Sequence, residues 1–199
     1  MKKKIIAAFL SLGIGYHQGI SNSGYPKVTI PEIRKIENQK SFPKFEDKYQ
    51  IKVETNYQTR DFNSDPTYIL LARMLLGEAE GCSKIEKIAI AYTAINRAND
   101  GKKWNGETLR ESILMPRQYS CFNKDSKKSR VLQNPLRYNA QEFLSCLKLS
   151  REILGNKYSD PTNGATHYYN PKLVKTPYWA KKLIKIGKIK DSHHIFYKE

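Results

Sequence analysis

Apolar side chains recur at helical spacing from Tyr68 onward, with Tyr68, Leu71, Ala72, Leu75, Leu76 and Ala79 on one face. That spacing predicts a helix over 66–79. Asp65 stands where an N-cap belongs, and Pro66 suits a first turn because its missing N–H would have no partner there. Gly81 stops the pattern. Ser83 with Glu86 three positions on reads as a capping box opening a second helix, whose buried stripe is Ile85, Ile88, Ala89, Tyr92 and Ile95. Asp100-Gly101 ends it. A short helix is expected over 108–114, closed by Pro116. A longer one over 139–154 carries Phe143, Cys146, Leu147, Ser150, Ile153 and Leu154 on its inner side, with Gly155 as terminator. Residues 179–186 read as one more short helix, and the aromatic run 166–171 as a loop or short strand. The expected fold class is mainly α, over a domain spanning 65–199.

Upstream of Asp65 the periodicity disappears. Residues 21–64 are polar, rich in lysine and interrupted by Pro26, Pro31 and Pro43, the pattern of a linker or arm; a strand over 51–55 is its one candidate element. Residues 1–20 have a different texture. Lys2, Lys3 and Lys4 precede an apolar run over 5–15, which is short for a bilayer span and suited to the core of an export signal. The expectation is a signal peptide or an uncleaved signal anchor. The protein would then be exported to the periplasm, cell wall or extracellular space.

Charge narrows the partners. The net charge of +16 draws the chain to polyanions, whether nucleic acid, anionic membrane or acidic wall polymers. An export leader argues against nucleic acid. Cys82, Cys121 and Cys146 are odd in number, so they allow at most one internal disulfide. His167, His193 and His194 lack the spacing of a metal-ligand set, and no H-E-x-x-H is present; no metal and no cofactor are expected. A cysteine nucleophile, Cys121 or Cys82 with His167 as base, is a rival reading without a local signature.

The candidate acid is Glu78. It falls at the C-terminal end of the first predicted helix, where the dipole is negative, beside Leu75 and Ala79. Both influences favour the protonated acid and suit a general acid near neutral pH. The bland alternative is a solvated glutamate that only ends the helix. Glu80 lies two residues on, hence on a different face, and is expected in solvent. Tyr119, Phe122, Tyr168 and Tyr169 offer faces for sugar rings, and Gln118 and Asn170 offer amides for N-acetyl groups. Tyr168 and Tyr169 are adjacent, so on an extended segment they point to opposite sides. Trp179 reads as core.

Several segments in order resemble one family. Gly77, Glu78, Ala79 and Gly81, followed by a helix ending in Asn96 and Arg97, the run 115–122, the run 165–171, Trp179 and the closing 186–199 are similar to the spore-cortex-lytic family of bacterial cell wall hydrolases. The resemblance covers about 66–197. It implies a lysozyme-like, mainly α(+β) domain that cleaves the MurNAc-GlcNAc strand of peptidoglycan, with Glu78 as the catalytic acid and lytic transglycosylase chemistry. It also brings Ser120 and His167 into the candidate substrate-binding set, beside Gln118, Tyr119, Phe122, Tyr168, Tyr169 and Asn170. The chain departs from the family at Glu80, where the family has Arg, and at Cys82, where it has a second Glu. His194 fits the family's closing histidine better than His193. The expected partners are glycan strands and anionic wall polymers, with the protein a monomer. The alternatives are a non-catalytic cationic wall-binding protein and, behind it, a cysteine peptidase or amidase.

Overall fold

The computed structural model describes residues 57–199; the predicted leader, arm and 51–55 strand lie outside them. Five helices are found there, α1 (Thr67–Ala79), α2 (Lys84–Asn99), α3 (Leu109–Leu114), α4 (Lys127–Leu132) and α5 (Pro135–Leu154). Three strands follow or interleave near the end, β1 (His167–Tyr169), β2 (Ile184–Lys188) and β3 (Ile195–Lys198). The mainly α(+β) expectation holds.

Helix α1 is the centre of the domain. Ten of its 13 residues are buried, so it is covered on every side rather than on one stripe. It packs chiefly on α5 and also on α2, α3 and α4. Its one buried charge is Arg73, at 1% exposure. The guanidinium donates to Asp65 through Nε at 2.7 Å and Nη2 at 3.3 Å, to the Tyr57 carbonyl at 2.8 Å, and to the Leu132 carbonyl. Asp65 therefore does not cap α1, as its position suggested. Pro66 holds the N-cap position without a side-chain bond, because a buried guanidinium left without its carboxylate would be far more costly than an uncapped helix end.

Helix α2 begins as expected, with Ser83 Oγ accepting from the Glu86 N–H at 3.3 Å. The reciprocal half of the capping box is missing, since Glu86 turns inward instead. Ile85, assigned to the buried stripe, is 38% exposed. A complete capping box occurs at α3, between Thr108 and Glu111. Helix α4, capped by Ser126, was not expected; it is too short to show a period. Helix α5 starts before the predicted 139 and contains a break at Asn139 (φ −153°, ψ 84°), so the predicted helix is its second, longer part.

The strands form one antiparallel sheet in the order β1-β3-β2, with Tyr168 opposite Phe196. The helix predicted over 179–186 is replaced by a 3-10 turn, Tyr178–Lys181, and by β2. The β-branched residues Ile184 and Ile186 alternate there, which favours a strand. A register shift between Lys185 and Gly187 bends this edge, and Gly187 takes φ +111°. All three cysteines are free. Among the described residues no helix is long and apolar enough to cross a membrane.

Candidate active site

Helix α1 must end close to another segment for Glu78 to find partners, and Gly77 allows it. A Cβ on Gly77 would lie 2.5 Å from Cys121 Cβ and 2.7 Å from its Sγ. Without one, the 3-10 turn Ser120–Phe122 seats directly on the last turn of α1. Lys128, from α4, donates its ammonium to the Gly77 carbonyl and so satisfies one of the open acceptors at the helix end. Gly81, at φ +74°, then reverses the chain into α2.

Glu78 is half-buried at this junction. Its Oε1 accepts from the Cys121 backbone N–H at 3.0 Å and from Ser120 Oγ at 3.3 Å. Its Oε2 accepts from Tyr168 Oη at 3.2 Å. Three donors from two distant segments thus meet on one carboxylate, in place of the apolar surroundings expected from the sequence. Burial, and next the Glu78 charge, push the Tyr168 phenol well above its ordinary value, so it remains a proton donor. The same two causes push the Cys121 thiol well up. Glu80 is exposed and engaged elsewhere, accepting from Tyr138 Oη at 2.8 Å and Asn139 Nδ2 at 3.0 Å.

Other candidates divide into those beside Glu78 and those that hold the scaffold. Ser120 and Tyr168 touch it. Tyr119 does not offer a face to a ligand: it is 1% exposed, shares a hydrogen bond with Thr93 at 3.2 Å and lies under the Arg97 guanidinium. This corrects its assignment to substrate binding: core partners take up the phenol, while Ser120, which opens the 3-10 turn, is exposed. Tyr169 is also a packing residue, stacked on Tyr197 and edge-on to Trp179. Tyr168, its neighbour, points the other way, toward Glu78. Phe122 packs edge-on against Phe62 at 5.0 Å while keeping partial exposure. Gln118 spends its amide N–H groups on the Trp104 carbonyl and Asn105 Oδ1. Asn170 closes a turn by accepting from the Lys172 N–H at 2.9 Å. His167 bonds Thr166 at 2.9 Å and packs on Trp179. Burial, then the Arg97 charge, lower its pKa to about 4, so it is neutral at pH 7.

The cysteine-nucleophile reading gains nothing here. His167 is bonded to Thr166 and not to a thiol, and a thiol held protonated by burial is a poor nucleophile.

Three residues that the sequence named play parts it did not assign them. Arg97 is buried, its Nε and Nη1 have no hydrogen-bond partner, and its charge bears on Tyr119, His167 and Tyr168. Glu86 was read as a cap and is instead fully buried, accepting from the backbone N–H groups of His193 at 2.6 Å and His194 at 2.9 Å, and from His194 Nδ1 at 2.7 Å. Asn96 braces the loop before β1, donating to Asp160 Oδ2 and the Ala165 carbonyl.

Ser120, Cys121 and Tyr168, the groups that reach Glu78, lie within a span that matches a known family. The cell wall hydrolase family profile matches residues 81–197, more than half of the chain, and the chain belongs to that family. The matched span begins just after Glu78. No curated protein matches the chain. Among solved structures, the catalytic domain of the germination-specific lytic transglycosylase SleB from Bacillus anthracis is similar at 22% identity and a TM-score of 0.46, covering 66% of this chain and 93% of that one. The catalytic domain of the Bacillus cereus SleB protein is similar at 23% identity and a TM-score of 0.45, covering 72% and 97%.

Proposed function

We propose that this cell wall hydrolase family member cleaves the glycan strand of peptidoglycan as a lytic transglycosylase, with Glu78 as its single acid and base. The observation that carries the reading is the convergence of Ser120, Cys121 and Tyr168 on a half-buried carboxylate at the end of α1. The Cys121 N–H can only donate, so it fixes Oε1 as an acceptor. A tyrosine hydroxyl both donates and accepts, so Tyr168 keeps its contact with Oε2 whether or not that oxygen carries a proton. Oε2 is therefore the atom suited to deliver and recover one.

In this scheme Oε2–H protonates the glycosidic oxygen as the C1–O bond breaks. The deprotonated Glu78 then takes the proton of the muramoyl C6 hydroxyl, whose oxygen attacks C1 and closes a 1,6-anhydro ring. The proton count balances without water and without the second carboxylate that other glycosidases use. Glu80 is turned to Tyr138 and Asn139, and Glu86 is sealed against His194, so neither neighbour acts as a second acid. Proton transfer of this kind contributes about 10²–10⁴ in rate, and positioning and electrostatics carry the remainder. We infer that export by the leader brings the enzyme to its substrate. The lysine-rich surface over 172–190, with Tyr178 and Ile184 exposed, suits contact with anionic wall polymers.

Digestion of purified sacculi followed by mass spectrometry tests the reading. Anhydro-muramic ends that vanish with Glu78→Gln are expected. Reducing muramic ends would make the enzyme a hydrolase. Salt-sensitive binding with no soluble fragments would leave only a cationic wall-binding protein.

A further inference from the structure

Just beyond the Gly81 turn lies a second cluster that the cleavage reaction does not use. Cys82 Sγ, a Glu86 carboxylate oxygen and a His194 ring nitrogen all fall within 4.8 Å of one another. Glu86 is fully buried and His194 is 8% exposed, whereas Cys82 is only partly buried, so the cluster is reachable from solvent at one corner. Glu86 Oε1 is held by the two backbone N–H groups of His193 and His194, and its contact with His194 Nδ1 is the one a bound cation would replace. Its Oε2 is buried with no hydrogen-bond partner. A buried carboxylate oxygen with no donor is costly, and such atoms are few in folded proteins. With Oε1 pinned by N–H donors, Oε2 is presented in a fixed direction, the kind of outer support that orients metal ligands.

We propose that Cys82, Glu86 and His194 form a binding site for a thiophilic divalent cation of the Zn²⁺ class, with solvent completing its coordination. The donor set of one sulfur, one imidazole nitrogen and one carboxylate oxygen excludes Mg²⁺ and Ca²⁺, which take oxygen ligands. A thiolate and a carboxylate together balance a dication. Bond lengths of about 2.0–2.3 Å put tetrahedral ligands roughly 3.3–3.8 Å apart, so side-chain rotation closes the cluster. Burial, and then the Glu86 charge, push the Cys82 thiol up to about 12. A dication beside it reverses that balance and holds the sulfur as thiolate.

The site is a positioning device. It ties the turn after Glu78 to the segment before β3. The His194 ring meets Tyr168 edge-on at 5.1 Å, and Tyr168 donates to Glu78. The proposal stands whether the wall enzyme proves a transglycosylase or a hydrolase.

The full chain, stripped of metal with a chelator, is titrated with Co²⁺ as a spectroscopic probe. One equivalent with a thiolate-to-cobalt charge-transfer band is expected, displaced by Zn²⁺, lost in Cys82→Ser and retained in Cys146→Ser. Zn²⁺ raises the melting temperature of the wild-type chain and not that of Cys82→Ser. His194→Gln, read by competition with a chromophoric chelator, weakens Zn²⁺ at least about tenfold, the scale set by even outer-shell changes. Absence of the band, its survival in Cys82→Ser, or a wild-type melting temperature indifferent to Zn²⁺ overturns the proposal. None of these readouts depends on cleavage.

Discussion

Glu78, at the end of α1, keeps part of its surface open and gathers donors from two distant segments. Glu86, at the start of α2 across the same turn, is fully buried beneath His193 and His194. The difference lies in what their partners can do. Two of the three groups on Glu78, Ser120 and Tyr168, are hydroxyls that can reverse the direction of a hydrogen bond. The two backbone groups on Glu86 cannot. Glu78 therefore keeps its contacts through a proton cycle, whereas Glu86 is bound as an anion. Burial works to push the Glu86 carboxyl up, yet the His194 ring and the two backbone donors hold it below its ordinary value. One carboxylate is built for exchange and the other for permanence, although both are glutamates beside one glycine.

The contrast breaks most sharply under amide substitution. Glu78→Gln should lower fragment release from sacculi by about 10²–10⁴ or more, with circular dichroism and melting temperature unchanged. Glu86→Gln should do the opposite first: it puts an amide where Oε1 accepts from two backbone N–H groups and the His194 ring, and costs about 1–3 kcal/mol in denaturant titration, the scale of a buried donor left unsatisfied. If Glu86→Gln instead spares stability and abolishes cleavage, the roles assigned to the two acids are exchanged. Tyr168→Phe sharpens the comparison, because it deletes one reversible donor. It should lower kcat on the order of tenfold, the scale of a hydrogen bond to a charged group, with KM little changed. The smallest effect concerns His167. Its folded pKa of about 4 lies below its ordinary value of 6.5, so the unfolded chain binds the proton more readily between these values. The stability is full above pH 6.5 and falls as pH drops through 4. His167→Gln should flatten that part of the stability–pH curve, measured by melting temperature against pH.

Much of the helical frame was legible because its signals are local. The period from Tyr68 to Ala79, the Gly81 stop, the Ser83 cap and the short helix expected over 108–114 each depend on residues within one or two turns. Glu78 was legible for the same reason, as an acid placed where an apolar helix ends. What surrounds Glu78 was not, because Ser120, Cys121 and Tyr168 reach it only through the folded chain. Glu86 misled because a cap and a buried hydrogen-bond acceptor share one sequence signature, and only the arrival of His193 and His194 distinguishes them. Asp65 misled in the same way, with Arg73 as the distant competitor. Residues 179–186 were misread because lysines between isoleucines fit a helix face as well as an edge strand, and the choice is made by pairing with β3.

Arg73 has a bearing on how the domain comes apart. One guanidinium fastens the Tyr57 carbonyl, the Asp65 carboxylate and the C-terminal carbonyl of α4 at Leu132. These stretches cannot be released separately without stranding a cation in hydrocarbon. Amide hydrogen exchange should register residues 57–65 and the end of α4 as a single cooperative block, opening together in one step rather than fraying in turn.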